Sequence, residues 1–251
     1  MIQGLPLWTI GTVITVPLVI AFGVRAFLEP KLVVSRTPYL HSKLQFKLDL
    51  SLFLLAALSM ALFNKLYFGF PIAASGLKLA LGVGAIGLFA AVDLALARER
   101  TVLGSAKDAG LSLRKLGSLY PITRKFTILA TLITILITVI ILLVIMQDLW
   151  WLSKEMTAEN LAMLQTSVMV EVLFVMSLLL FLTVTLILSY SRNLRLLFDN
   201  QTNALEEVRG GNLEVAVPVV TNDEFGVIAV HTNDMIDGLR DRLRMMEGLE
   251  V

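Results

Sequence analysis

Five separate apolar runs, each near the length needed to cross a bilayer, constrain this chain more than any other feature. They fall at residues 5–24, 48–63, 77–97, 126–146 and 169–188. A helix rising about 1.5 Å per residue crosses about 30 Å of hydrocarbon in roughly 20 residues. Lipid offers the backbone no hydrogen bonds, so a spanning segment must be a helix or a strand of a closed barrel, and runs that are apolar throughout rather than alternating select the helix. The composition agrees: of 251 residues, 57% are hydrophobic and 16% charged, against about 45–50% apolar residues in soluble domains. No basic leader precedes the first run and no small-residue cleavage pattern follows it, so it reads as a retained span. The second run is the shortest of the five and is followed directly by Asn64.

An odd number of spans puts the termini on opposite sides. Twelve basic residues lie in the connections between spans one and two (Arg25 to Lys47) and three and four (Arg98 to Lys125), against three on the other side, Lys65, Lys78 and Lys154. The positive-inside rule therefore makes those two connections cytoplasmic, with the amino terminus outside and the carboxyl terminus in the cytoplasm. Trp150 and Trp151 then fall at the outer interface, where indoles are favoured. The largest outer connection, 147–168, has room for little beyond extensions of its flanking helices.

Much chemistry is excluded. No cysteine is present and only two histidines, His41 and His231, so disulfides, thiolate metal sites and iron–sulfur clusters are out, and imidazole metal sites have too few ligands. A net charge of +1 gives no whole-chain attraction to nucleic acid. Gly82, Gly84 and Gly87 resemble a dinucleotide loop only superficially, because they sit inside an apolar span with no strand before them. Neither a catalytic constellation nor a cofactor is expected in this chain.

Past Leu188 the character changes. Residues 193–209 place Leu194, Leu197, Phe198, Leu205 and Val208 at helical spacing before Gly210 and Gly211 stop the helix. An extended connector, 212–222, holds Leu213, Val215, Val217 and Pro218, and a second helix opens at the acids Asp223 and Glu224. Its Phe225, Ile228, Thr232, Met235 and Leu239 recur every three or four residues as a coiled-coil seam.

Gly211-Asn212-Leu213-Glu214, Val217-Pro218 and Asp223-Glu224-Phe225-Gly226, in this order and spacing, resemble the HAMP domain of bacterial sensor proteins. The resemblance covers about 50 residues and departs from the family at two places. Leu197 stands where the first helix commonly opens with proline, which allows an unbroken helix from the fifth span, and Gln201 occupies a seam position, which makes that layer polar and loosely packed. What the resemblance implies is a homodimeric, parallel four-helix coiled coil with Leu213 and Val217 packed against the bundle. Its relay residues would be Phe198, Gln201, Leu205, Val208, Gly211, Leu213, Val217, Pro218, Asp223, Glu224, Phe225, Gly226, Ile228, Thr232, Met235 and Leu239.

Beyond Leu239 the apolar positions Leu243, Met246 and Leu249 shift the coiled-coil phase. The helix has no cap before Val251, so an output domain outside these residues is expected. Proteins with this layout resemble HAMP-linked adenylyl or guanylyl cyclases and PP2C-type serine phosphatases, with sensor kinases third.

Within the spans, Thr127, Thr131, Thr134 and Thr138 mark one face of the fourth helix, where hydroxyls can bond across to a neighbouring helix or satisfy their own carbonyls; plain helix packing is the default, and a polar ligand route the alternative. Gly76, Ala80, Gly84, Gly87 and Ala91 give the third span a small-residue face for close approach. Asp93 and Glu171 are the intramembrane acids, functional candidates or partners of nearby bases, as Asp93 would be of Arg98.

The expected protein is an all-α membrane protein with about five transmembrane helices in 1–189, a HAMP domain in 190–240, and the start of a coiled-coil linker in 241–251. It would be a signal transducer sensing a bilayer-accessible ligand, a membrane-protein partner or a membrane property. The alternatives are a membrane anchor that only dimerises its output enzyme and a small transporter with a coiled-coil tail. Partners would be a second copy and the lipid bilayer, with no nucleic acid.

Overall fold

The computed structural model describes residues 7–69, 76–109, 121–155 and 161–247. These form six long helices: α1 Leu7–Glu29, α2 His41–Phe68, α3 Leu77–Ala109, α4 Ile122–Glu155, α5 Leu161–Arg209 and α6 Glu224–Glu247. The described residues contain no strand. Five of the helices are long and apolar enough to cross a membrane; the sixth is amphipathic and polar.

Helix α1 tolerates Pro17 and passes at Pro30 into a wider helical turn, with Glu29 still in helical geometry. A short π-helical segment, Pro30–Val34, and a 3-10 turn, Pro38–Leu40, then reverse the chain. Helix α2 runs well beyond the 48–63 segment expected for it; near its start Gln45 and Asp49 are 1% exposed, bonded to each other, with Asp49 also paired to Arg25. It stops at Gly69, whose left-handed φ of 66° lets its N–H reach the Lys65 carbonyl at 3.1 Å. The outer connection read at 147–168 is mostly helix, divided between the end of α4 and the start of α5. Trp150 and Trp151 lie on α4, but their side chains are outside the described residues.

Helix α3 is the centre of the bundle, packing on α2, α4 and α5. Its Leu88, Phe89, Val92 and Leu96 meet Leu179 and Leu186 of α5, with Phe46 and Leu50 of α2 and Leu129, Ile133, Ile137 and Ile140 of α4 around them. The small-residue face works as expected: Ala91 is fully buried, and Gly84 and Gly87 face Leu54 and Phe53 of α2. Outward faces are apolar too, with Phe22 of α1 and Phe174 and Phe181 of α5 exposed. So much contiguous apolar surface is covered by lipid, which makes this an integral membrane protein.

Helix α5 runs unbroken for 49 residues, from the far end of the bundle to Arg209. No glycine or proline interrupts it, so the span and the first helix of the polar module are one rod, as Leu197 in place of proline leads one to expect. Its end is a glycine stop: the N–H groups of Gly210, Gly211 and Asn212 bond to the Glu206, Val208 and Glu207 carbonyls at 3.0 Å each, and Gly211 takes φ 90°. The connector then runs back beside α5, and α6 starts at Glu224.

Candidate functional site

Three polar clusters lie where the bundle meets the polar module. The first joins α1, α2 and α3. Arg25 pairs with Asp49 at 2.8 Å and with Glu29 at 3.3 Å, while Gln45 Nε2 donates to Asp49 Oδ2 at 2.7 Å. Arg98 reaches across from α3 to Glu29 and, at 3.4 Å, to Gln45 Oε1. Two cations and two carboxylates balance one another, which is how charge persists at the edge of an apolar bundle. Arg98 therefore serves Glu29, not Asp93 as expected. Five residues along a helix turn a side chain by about 140° relative to its partner, so the two point to different neighbours.

A second cluster fixes α5 to α3 as it leaves the apolar region. The Arg100 guanidinium reaches Ser189 O at 3.1 Å, Ser189 Oγ at 3.0 Å and Asn193 Oδ1 at 2.7 Å. Asn193 Nδ2 returns a bond to Leu96 O at 3.2 Å and another to Glu99 Oε2 at 3.1 Å. Ser189 and Asn193 are both 3% exposed, so these bonds are screened little by solvent.

The third cluster holds the connector and the start of α6. Asp223 caps α6 through Oδ1, which accepts from Phe225 N at 3.2 Å, and its Oδ2 takes Lys125 Nζ of α4 at 2.7 Å. Glu224 Oε2 accepts from the Ile122 N–H at 2.7 Å, satisfying a first-turn donor of α4 that has no partner within that helix. Nearby, Leu103 of α3 packs with Val220 of the connector, flanked by Val102 and Leu197.

Farther along, Asn233 acts as a backbone mimic. Its Oδ1 accepts from Val217 N at 2.7 Å and its Nδ2 donates to Val217 O at 2.9 Å, placing Val217 among Ala204, Val219 and Ala229. Arg240 holds the Leu213 carbonyl with Nε at 3.0 Å and pairs with Glu214 at 3.4 Å. Both anchor residues escaped the sequence reading; a lone Asn beside the Thr232 seam position was the available signal.

Among the relay candidates, Val217 and Asp223 are buried, Gly226 is buried at the head of α6, and Leu213, Val208, Pro218 and Phe225 are partly buried. Phe198 and Phe225 meet edge to face at 5.1 Å. Gln201 does not leave a loose polar layer, because its Nε2 donates to Thr232 Oγ1; Thr232 is thereby buried within one chain instead of lying open on a seam. Phe198, Leu205, Ile228, Met235 and Leu239 are exposed, as is Glu224, while Gly211 supplies the left-handed turn.

The membrane candidates divide differently. Thr127, Thr131, Thr134 and Thr138 face away from the bundle, and Thr134 and Thr138 return their hydroxyls to the Ala130 and Thr134 carbonyls at 2.8 Å. The inward face of α4 belongs instead to Leu129, Ile133 and Ile137, so Thr134 and Thr138 satisfy their own helix, and among the described residues the stripe is exposed. Asp93 is partly buried and Glu171 exposed.

Helices of this length, and a buried polar belt at one end from which a single rod emerges, define an integral membrane protein with a polar module. The chain belongs to the MASE10 family of membrane-associated sensory domains, which it matches over residues 1–174. It is also 29% identical over 196 residues to a cyclic di-GMP phosphodiesterase of Vibrio cholerae serotype O1, an alignment covering 77% of this chain and 39% of that protein. The chain thus spans about two-fifths of the relative's length. No solved structure matches it. The relative's activity is neither of the two output chemistries, cyclase and PP2C-type phosphatase, that the layout of spans and polar module suggested.

Proposed function

We propose that this chain is the input half of a transmembrane transducer of a bacterial inner membrane, with its amino terminus outside. The five-span region senses a bilayer-accessible ligand, a membrane-protein partner or a property of the membrane. A HAMP-like pair of helices, the lower part of α5 and α6, relays the response to a cyclic di-GMP phosphodiesterase domain. The observation that carries this reading is the unbroken α5: a rod leaving a sensory bundle conveys rotation, tilt or shift without a hinge to absorb them. The phosphodiesterase output rests on the Vibrio relative, which outweighs the likeness of layout behind a cyclase or phosphatase.

The relay acts as a parallel homodimer. Supporting this, Phe198, Leu205, Ile228, Met235, Leu239 and Leu243 are each at least 37% exposed in the single chain, and they lie in a polar segment that lipid does not cover. A second copy burying such a stripe would remove it from water at about 25 cal/mol per Å² of apolar area.

The test is a one-alanine insertion between Leu188 and Arg192 in the full-length protein, assayed in membranes for cyclic di-GMP hydrolysis. The insertion turns everything below it by about 100° and is expected to change basal output. Unchanged basal and stimulated activity, at normal membrane levels, would make the five spans an anchor that merely brings two enzyme domains together.

A further inference from the structure

We infer that the membrane bundle controls the relay through a second input besides α5: the α3–α4 end of the bundle grips the start of α6 directly. The inference rests on the relay reading above and deepens it.

Three contacts make the grip, and a fourth ties α4 to the rod. Lys125 of α4 binds Asp223 at 2.7 Å, and that carboxylate is 5% exposed. Glu224 accepts the first-turn N–H of Ile122 at 2.7 Å. Leu103 of α3, 2% exposed, packs on Val220 of the connector. Phe126 of α4 lies 5.7 Å from Tyr190 of α5, tying the same turn of α4 to the rod. All the partners from the module belong to one short stretch, 220–224, where the connector becomes α6.

The chemistry of Asp223 makes this stretch sensitive. One oxygen caps α6 and the other carries the Lys125 ammonium. Withdrawing Lys125 leaves a buried carboxylate with its charge uncompensated at the same atom group that orders the first turn of α6. Glu224 is shared in the same way, since it stands in the first turn of α6 and closes the amino terminus of α4. A displacement of α4 relative to α3 is therefore felt at the head of α6 even when α5 stays still. Two inputs converge on one junction: α5 moves the first relay helix, and the α3–α4 end sets how firmly the second is held.

A double-mutant cycle in the full-length protein tests this, with Lys125→Met, Asp223→Asn and the double variant assayed in membranes for cyclic di-GMP hydrolysis. Asparagine caps helices as well as aspartate, so Asp223→Asn removes the charge while keeping the cap. Each single variant is expected to shift basal output in the same direction, by about two- to thirtyfold, the range of couplings of this kind. The double variant should shift it no further than the larger single one, because both remove one interaction. Lys125→Arg should retain wild-type output.

The inference is overturned if both single variants match wild type while the alanine insertion in α5 changes output, or if the two effects simply add. Should the insertion and the cycle both be silent, the relay reading itself fails. Membrane levels measured alongside separate a folding defect, which Lys125→Arg would not rescue selectively, from a change in signalling.

Discussion

Gly87 of α3 sits so close to Phe53 of α2 that a β-carbon at position 87 would stand 2.4 Å from the Phe53 β-carbon. The obstruction begins at the backbone-proximal atom of Phe53, so no rotamer change relieves it and the helices themselves must separate. Gly87→Ala is expected to destabilise the bundle by about 1–3 kcal/mol. Gly82→Ala, where the added carbon meets nothing within 4 Å, should be neutral or slightly stabilising. Thermal unfolding of the two variants in detergent micelles measures the contrast.

Asp49, 1% exposed and paired with Arg25 and Gln45, should be the most costly residue of its cluster to remove. Asp49→Leu leaves the Arg25 charge short of one of its two carboxylates and is expected to cost about 3 kcal/mol. Glu29→Gln, at a side chain that is 24% exposed and still offers an oxygen to Arg98, should cost about 1 kcal/mol or less. Titrating the purified variants with denaturing detergent and following loss of helix gives both values.

Asn233 holds both backbone groups of Val217. Removing two such bonds in Asn233→Ala is expected to loosen the connector by about 1–3 kcal/mol. Asn233→Asp keeps the acceptor but sets a second carboxylate oxygen against the Val217 carbonyl, so it should loosen the connector at least as much. Limited proteolysis in the 212–223 segment, scored as cleavage rate relative to wild type, ranks the three proteins. Equal rates for all three would mean that the connector is held by its apolar contacts alone.

Cysteines at Ile228 and Met235, both 47% exposed, should cross-link between copies in membranes if the proposed dimer forms. Cysteines at Ala229 and Ile236, 3% and 1% exposed, should not, because they pack within one chain. The natural chain has no cysteine to compete. Strong cross-linking at Val227 or Val230 in place of Ile228 would refute this register.

Features encoded by long patterns were legible in the sequence. The five apolar runs, the glycine stop at Gly210-Gly211, the acid start at Asp223-Glu224 and the uninterrupted fifth helix need only a residue's neighbours along the chain to be read. Pairings set by helix rotation were not. Whether Arg98 turns to Asp93 or to Glu29 depends on which face of α3 meets α1 and α2, and that is decided by Gly84, Gly87 and Ala91 against Phe53 and Leu54. The threonine stripe left two readings open for a related reason: four hydroxyls on one face can bond across to a neighbour or to a carbonyl one turn back, as Thr134 and Thr138 do, leaving Ile133 and Ile137 to pack inward. Lys125, Asn193 and Asn233 carry no motif; their importance comes from which helix ends the topology brings together.

The clasp of Arg100 on Ser189 and Asn193 makes α5 a pinned lever. From Leu161 to the pin at Asn193 the helix extends about 48 Å, and from the pin to Arg209 about 24 Å, at a rise of about 1.5 Å per residue. A see-saw with arms of two to one reverses the sense of a sideways push and halves its size. An outward swing of the far end by about 2 Å would thus arrive at Arg209 as an inward swing of about 1 Å. Loosening the top of the bundle would tighten its base.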